Sequence, residues 1–330
     1  MSTIAEYENK ILEGDNIEIL KSLPNNFIDC CVTSPPYYGL RDYGTGKWIG
    51  GNDNCTHKPL KNNRNICSIC GAIKEDKQVG LEDTPEEYID RLVNIFREVK
   101  RVLKDDGTLW VNIGDSYSSN NINNIKQKDL IGIPWMLAFA LRNDGWYLRQ
   151  DIVWNKLNPL PESVNDRFTK SHEYIFLLSK QLNYYFDVDA VKEIATGYDG
   201  RKGNLLKMSK KYKDAQYLAN HHNQTMAVGG RQRWSEDDDG NYIRRKRDVF
   251  SVPNQPLADA HFATYPEKLI EPCILAGSRE NGIVLDPFFG SGTTGKVAIQ
   301  HGRNFLGIEL NPEYIELARK RVSNDGKWII

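Results

Sequence analysis

The chain has 330 residues, of which 40% are hydrophobic and 26% charged, with a net charge of −1. This is the composition of an ordinary globular protein, either one large domain with an elaboration or two domains. No run is apolar for long enough to cross a bilayer and the N-terminal Met1–Lys10 is polar, so neither a membrane anchor nor a secretory signal is expected.

Alternating apolar residues over Phe27–Val32 predict a strand that runs straight into Thr33-Ser34-Pro35-Pro36-Tyr37. Residues 43–80, rich in Gly, Asn and Lys, read as irregular. A helix begins at Thr84-Pro85-Glu86-Glu87, with Thr at the cap and Pro in the first turn. It carries Leu92, Val93, Phe96, Val99 and Leu103 at helical spacing, and Asp105-Asp106-Gly107 is expected to stop it. Thr108–Ile113 then reads as a buried strand, Pro134–Arg142 as a helix, and Tyr147–Trp154 and Glu173–Leu178 as strands. From Ile194 to Arg247 the pattern breaks into polar sequence dense in Lys and Arg. It resumes with helix Glu267–Ala276, strand Gly282–Asp286, helix Thr293–His301, strand Asn304–Leu310 and helix Pro312–Val322. Strands alternating with helices predict a doubly wound α/β sheet with helices on both faces.

Asp286-Pro287-Phe288-Phe289-Gly290-Ser291-Gly292-Thr293-Thr294-Gly295 lies between a predicted strand and a predicted helix. Glycines let backbone amides approach a ligand there, and a helix N-terminus favours an anionic group. Gly290, Gly292 and Gly295 spell the dinucleotide fingerprint, and Glu309 follows at about the spacing of a ribose-binding acid, roughly 20 residues on. A nicotinamide oxidoreductase is therefore one reading. Against it, only about one βαβ unit fits after residue 282, whereas a dinucleotide site needs two halves. Asp-Pro-Phe leading into the turn suits a nucleoside-like ligand with a cationic end better than a pyrophosphate.

Thr33-Ser34-Pro35-Pro36-Tyr37 follows a strand and should lie at the carboxyl edge of the sheet, where open α/β proteins bind ligands. The prolines make a rigid loop with a free carbonyl, a hydroxyl beside it and an aromatic face two residues on. An exocyclic amine on a base is a weak nucleophile because its lone pair is delocalised into the ring. Acceptors at Ser34 and Pro35 could hold its protons, while Tyr37 stacks on the extruded base.

The two motifs together resemble the amino-methyltransferases of bacterial and phage DNA modification, in the β arrangement whose circularly permuted order puts the catalytic motif first and the cofactor motif last. The resemblance covers nearly all of the chain except about residues 194–247. It implies a Rossmann-like methyltransferase sheet, S-adenosylmethionine as cofactor, double-stranded DNA as substrate, and a bacterial or phage-encoded protein of the cytoplasm. It further implies Ser34, Pro35, Pro36 and Tyr37 as the catalytic loop, and Asp286, Phe288, Gly290, Ser291, Gly292, Thr293 and Glu309 as the cofactor loop. Asp15 falls near the cofactor adenine, and the segment holding Thr264, Pro266 and Lys268 closes over its methionine end. Trp154-Asn155-Lys156 and His172-Glu173-Tyr174 fall near the target base. Ser-Pro-Pro-Tyr usually accompanies cytosine N4 in such enzymes and Asp-Pro-Pro-Tyr adenine N6, so cytosine is favoured and adenine stays open. The resemblance also leaves room for a homodimer and a cognate restriction endonuclease. An RNA or protein-amide substrate, and a DNA-binding protein without catalysis, are the remaining rivals.

Of the six cysteines, Cys30 and Cys31 precede the catalytic loop in a strand and read as core, and Cys273 is isolated. Cys55, His57, Cys67 and Cys70 offer three sulfurs and an imidazole, the ligand set of a closed structural zinc site, expected as a knuckle over residues 51–72. Six basic residues between Arg201 and Lys213, then Arg231, Arg233 and Arg244–Arg247, concentrate in the segment that breaks the core pattern. That segment, 194–250, reads as a target-recognition insertion between catalytic parts 1–193 and 251–330, with its cations shared between phosphates and guanine edges. His172-Glu173 does not extend to the metalloprotease HExxH, and His221-His222 reads as polar surface.

Overall fold

The computed structural model describes residues 4–40, 42–60, 63–194, 235–236, 242–255 and 265–323. A 3-10 turn at Ile4–Tyr7 leads into β1 (Lys10–Glu13), α1 (Asn16–Ser22) and β2 (Ile28–Thr33). Four short strands follow, β3 (Lys47–Ile49), β4 (Pro59–Leu60), β5 (Asn63–Cys67) and β6 (Ile73–Glu75), forming an antiparallel sheet of their own in the order β3-β6-β5-β4. Then come α2 (Pro85–Val102), β7 (Leu103–Ile113), α3 (Ile133–Asn143), β8 (Tyr147–Lys156) and β9 (His172–Ser179). Short strands β10 (Glu193–Ile194), β11 (Ser235–Glu236) and β12 (Tyr242–Arg244) make a third sheet. The chain continues through β13 (Val249–Val252), α4 (Glu267–Gly277), β14 (Ile283–Asp286), α5 (Thr293–Gln300), β15 (Asn304–Glu309) and α6 (Pro312–Ser323).

The main sheet has eight strands in the order β1-β15-β14-β2-β7-β9-β8-β13. Every neighbouring pair is parallel except the two that involve β9, so β9 alone runs against the rest. All six residues of β2 are buried, as a central strand covered on both faces must be. Alternate residues serve opposite faces. Leu109, Val111, Ile113, Leu285 and Leu306 join one core with α1, α2 and α3. The opposite face takes α4, which approaches so closely that a Cβ on Gly277 would stand 2.9 Å from Thr108 Oγ1 and 3.2 Å from Cys30 Cβ.

The Thr84 hydroxyl caps the Glu87 amide and the Glu87 carboxylate caps the Thr84 amide, so α2 starts with a full capping box. It ends at Val102, before the expected Asp105-Asp106-Gly107 stop. Leu103 already pairs with Ile28 of β2, and this non-local ladder draws those residues into β7. Ion pairs and hydrogen bonds from buried Asp29, to Lys104 (2.8 Å) and the Ile283 amide (3.0 Å), tie the N-terminal strands to the C-terminal ones. Parallel pairing of β1 with β15, aided by Asn9 donating to Asn304 (2.8 Å), does the same at the sheet edge.

The chain divides into two compact units, Met1–Asp187 with Asp248–Ile330, and Val188–Arg247. In the second, Glu193 accepts from Arg244 (2.9 Å) and Arg247 (3.0 Å). Most of the basic segment expected to read DNA, from Arg201 to Arg233, lies outside the described residues. No helix among the described residues is long and apolar enough to cross a membrane.

Candidate active site and cysteine knuckle

Because β1, β15, β14, β2 and β7 are parallel, the segments that leave their carboxyl ends gather along one edge of the sheet: Gly14-Asp15, Leu310-Asn311, Pro287-Phe288, Ser34–Tyr37 and Gly114-Asp115. A cleft opens there, bordered by Asp15, by Ser34, Pro35, Pro36 and Tyr37, by Phe288, Gly290 and Ser291, and by Glu309. The structure thus brings the catalytic string and most of the Gly-rich turn to one cavity, although more than 250 residues separate them in sequence.

The turn is held from within. Glu309 accepts from the Gly290 amide (2.7 Å) and the Asn311 amide (2.8 Å). Burial pushes its carboxyl above the usual range, and these amides oppose the shift. Gly292 caps α5 at φ +80°, and a Cβ there would meet Ala318 Cβ at 3.0 Å. Gly295 makes room for the Phe289 ring, since a Cβ would approach it to 2.7 Å. Two of the three fingerprint glycines therefore serve packing.

Several expected ligand residues have other partners. Asp286 is buried and does not border the cleft. It accepts from the hydroxyls of Thr33 (2.6 Å), Thr294 (2.6 Å) and Tyr265 (3.1 Å) and from the Phe288 amide (3.1 Å). Burial raises its carboxyl, opposed by those donors. Its site is the hinge that sets β14, β2 and the turn in register. Thr293 faces the Arg321 guanidinium (3.2 Å), which also donates to the Ser291 carbonyl (2.7 Å). Asp15 caps α1 through the Ile17 and Glu18 amides (both 3.1 Å) while still bordering the cleft. Pro266 is the cap position of α4 and Lys268 is exposed, neither on the cleft, and Thr264 lies outside the described residues.

The Ser34–Tyr37 loop is fixed at three points. Tyr88 donates to the Pro36 carbonyl (2.8 Å). Gly39 donates to the Gly80 carbonyl (2.9 Å). The Tyr37 hydroxyl donates to Glu173 Oε2 (2.7 Å), which sits 3.4 Å from the Asn112 amide, and Lys156 closes a short ion pair on the other Glu173 oxygen. Ser34 in turn hydrogen-bonds Tyr37, and burial, then Glu173, drive the Tyr37 phenol well above its ordinary value, so it stays protonated. Among the described residues no donor takes the Pro35 carbonyl.

Sequence reasoning missed Tyr43, Lys77 and Gln78, which form one wall of the cleft from the segment read as irregular, and Asn311 and Tyr314 beyond Glu309. Tyr43 and Tyr314 meet edge to face at 5.9 Å, and the Tyr43 amide donates to Gln78 (2.7 Å). Nothing in the local pattern marks these residues, because their partners are distant in sequence.

Just ahead of that wall, the ligand atoms of Cys55, His57, Cys67 and Cys70 all lie within 4.8 Å of one another. Cys55 and Cys67 sulfurs are 3.8 Å apart, and Cys70 Sγ is 3.4 Å from His57 Nδ1. A tetrahedral zinc with thiolates at roughly 2.3 Å has ligand–ligand edges of about 3.8 Å, so the set fits the ion. Trp48 stacks on the His57 ring at 5.0 Å, fixing its plane.

The family model described as DNA methylase, the N6/N4 methyltransferase family, matches residues 28–320. The chain belongs to this family. Among characterised relatives, it is 41% identical to the type II methyltransferase M.Cfr9I of Citrobacter freundii over 97% of this chain and 89% of that protein. It is 42% identical to M.SmaI of Serratia marcescens over 95% and 90%. Among solved structures, the cytosine-N4-specific PvuII DNA methyltransferase superposes with a TM-score of 0.60 at 19% identity, over 95% of this chain and 86% of that one. A putative DNA modification methylase from Thermus thermophilus, complexed with S-adenosyl-L-methionine, gives 0.55 at 22%, over 97% and 96%. This DNA methylase therefore shares its mixed α/β Rossmann-like fold with methyltransferases of known structure.

Proposed function

We propose that this DNA methylase is site-specific and moves a methyl group from S-adenosylmethionine to the exocyclic N4 amine of a flipped cytosine in duplex DNA. The observation that carries the reading is the Pro35 carbonyl, left without a donor among the described residues and bordering the same cleft as the Gly290 turn and Glu309. When bound, S-adenosylmethionine would supply an electrophilic methyl group on a sulfonium; Glu309, Asp15, Phe288, Gly290 and Ser291, which border one cleft, would hold it.

The Pro35 carbonyl and Ser34 hydroxyl accept the two N–H bonds of the amine and draw the nitrogen toward tetrahedral geometry, which localises its lone pair for attack. Ser34 fits the accepting role because the Tyr37 proton is committed to Glu173 (2.7 Å), which leaves the phenol oxygen able to take the Ser34 proton. Ser34 and Pro35 would so present the nitrogen to the methyl group that S-adenosylmethionine would supply, its sulfur keeping the bonding pair and becoming neutral, and one amine proton would pass to water. Alignment within hydrogen-bond reach contributes a large part of such an acceleration.

Serine at the head of the catalytic string favours cytosine over adenine, and the cytosine-N4 specificity of the PvuII relative of like fold supports the same choice. The motif order is the permuted β arrangement, and the unit Val188–Arg247 serves as target-recognition region. A structural zinc in the knuckle orders the segment between the catalytic loop and α2. The bacterial relatives fit a cytoplasmic enzyme, alone or as a homodimer, paired with a cognate endonuclease.

The test is incubation with methyl-labelled S-adenosylmethionine and unmethylated genomic DNA, followed by digestion and mass spectrometry of the nucleosides. N4-methylcytosine is expected. N6-methyladenine would keep the mechanism and overturn the base, and labelled protein or RNA with unlabelled DNA would overturn the substrate.

A further inference from the structure

The connection from β8 to β9, residues 157–171, leaves the same carboxyl edge of the sheet as the catalytic loop. Its mouth is closed by the Lys156 amide donating to the Ser171 carbonyl (2.8 Å) and by the Lys156–Glu173 ion pair. Through Glu173 it is joined directly to the Tyr37 hydroxyl. Its shoulders are also built. Asn158 and Asn254 exchange hydrogen bonds, with the Asn254 amide 2.6 Å from Asn158 Oδ1. The Arg167 guanidinium lies 3.7 Å from the Tyr117 ring centre, and Lys128 pairs with Asp166 (3.1 Å).

On this framework the chain displays apolar side chains to solvent. Phe168 is 98% exposed and Leu160 81%, with Leu157 and Val164 also exposed. Four exposed apolar side chains in one short connection suit a surface that a partner covers. The charges of the loop are taken up internally: Arg167 pairs with Glu162, Asp166 with Lys128, and Lys170 approaches Asp115 (3.9 Å). Every cation of the connection thus faces a carboxylate rather than a phosphate, so the tip suits an uncharged, flat, aromatic surface. In duplex DNA that surface is the base stack, and it becomes available where a base has left it.

We propose that Phe168, flanked by Leu160, inserts into the DNA duplex and fills the gap left by the extruded target base. This rests on the reading of the protein as a base-flipping DNA methyltransferase. Apolar side chains wedged between base steps offset the cost of unstacking, and a base already mismatched is cheaper to extrude. The tie through Glu173 and Tyr37 couples the wedge to the loop that receives the base.

The experiment uses the full chain and a duplex oligonucleotide carrying the sequence found methylated in genomic DNA, in two forms: normally paired, and mismatched at the target base. Phe168→Ala is expected to slow methylation of the paired duplex roughly 10- to 100-fold, the worth of one base–aromatic stack. On the mismatched duplex the loss should shrink to within about threefold, since extrusion there is nearly free. Phe168→Trp should restore the paired duplex. The residue is exposed, so the fold is not at risk, and cofactor affinity should be unchanged. Equal loss on both duplexes, or no loss on either, would overturn the proposal. So would loss accompanied by a change of oligomeric state on sedimentation, which would make the tip a contact between copies. A wild-type protein that methylates neither duplex would instead overturn the underlying reading.

Discussion

Gly114 follows the last residue of β7, and a Cβ built there would stand 2.6 Å from Tyr37 Cε2 and 3.2 Å from the Glu173 carboxyl carbon. The ring cannot retreat easily, because its hydroxyl is committed to Glu173 and Glu173 to Lys156. Gly114→Ala should therefore displace Tyr37 and, with it, Ser34, while leaving Glu309 and the Gly-rich turn untouched. A shift on the order of 1 Å in a catalytic group can cost about a hundredfold in rate. Turnover under saturating DNA should accordingly fall at least roughly tenfold, with cofactor affinity held within about a factor of two, as read by single-turnover kinetics and calorimetry. Unchanged turnover would show that the Tyr37–Glu173 link does not set the geometry of the loop.

Among elements, those whose stability is local were legible in the sequence. The strand–turn–helix around Gly290 and the capped start of α2 carry their instructions within a short stretch of chain, in Asp-Pro-Phe, Gly292 and Thr84-Pro85-Glu86-Glu87. The Ser34–Tyr37 loop was legible for the same reason, since two prolines after a strand fix a loop wherever it lies. Elements stabilised by distant partners were not. β1 is four residues long and exists through its pairing with β15, and β13 through β8. The cleft wall at Tyr43, Lys77 and Gln78 is held by β3 to β6, whose strands span two to five residues and are too short to declare themselves by periodicity. The four donors that converge on Asp286 come from Thr33, Tyr265, Phe288 and Thr294, and no local pattern in the sequence announces that convergence.

The short strands have little core to hold them, and the proposed zinc would supply in the knuckle what packing does not. Gly51 passes so close to the knuckle that a Cβ would stand 2.7 Å from Cys70 Sγ, and β6 runs from there to Lys77 and Gln78 in the cleft. Metal binding of this kind is folding free energy for the segment it closes. Removing zinc with a strong chelator should lower the melting temperature and weaken cofactor binding together, with both restored by added zinc, and Cys67→Ser should mimic the loss. A melting curve and cofactor affinity unaffected by the chelator, with no metal by elemental analysis, would refute the zinc site.

At the scale of the whole molecule, the net charge of −1 conceals a division of labour. The cleft and the Ser34–Tyr37 loop lie wholly within the unit formed by Met1–Asp187 and Asp248–Ile330, whereas a long basic run, Arg201–Lys213, falls in Val188–Arg247. If that run neutralises phosphates, its contribution is separable from chemistry and depends on salt. Replacing Lys207, Lys210, Lys211 and Lys213 by glutamine should weaken DNA binding while leaving cofactor affinity unchanged. The slope of log affinity against log salt should flatten by roughly 0.9 for each phosphate that is no longer neutralised. The weakening should be much the same for cognate and unrelated duplexes, because phosphates carry no sequence information. A variant that binds DNA with wild-type affinity and an unchanged salt slope would make this run a solvated surface and move the search for DNA-binding cations to Arg231, Arg233 and Arg245. One that is impaired only on the cognate sequence would place these lysines at base edges instead.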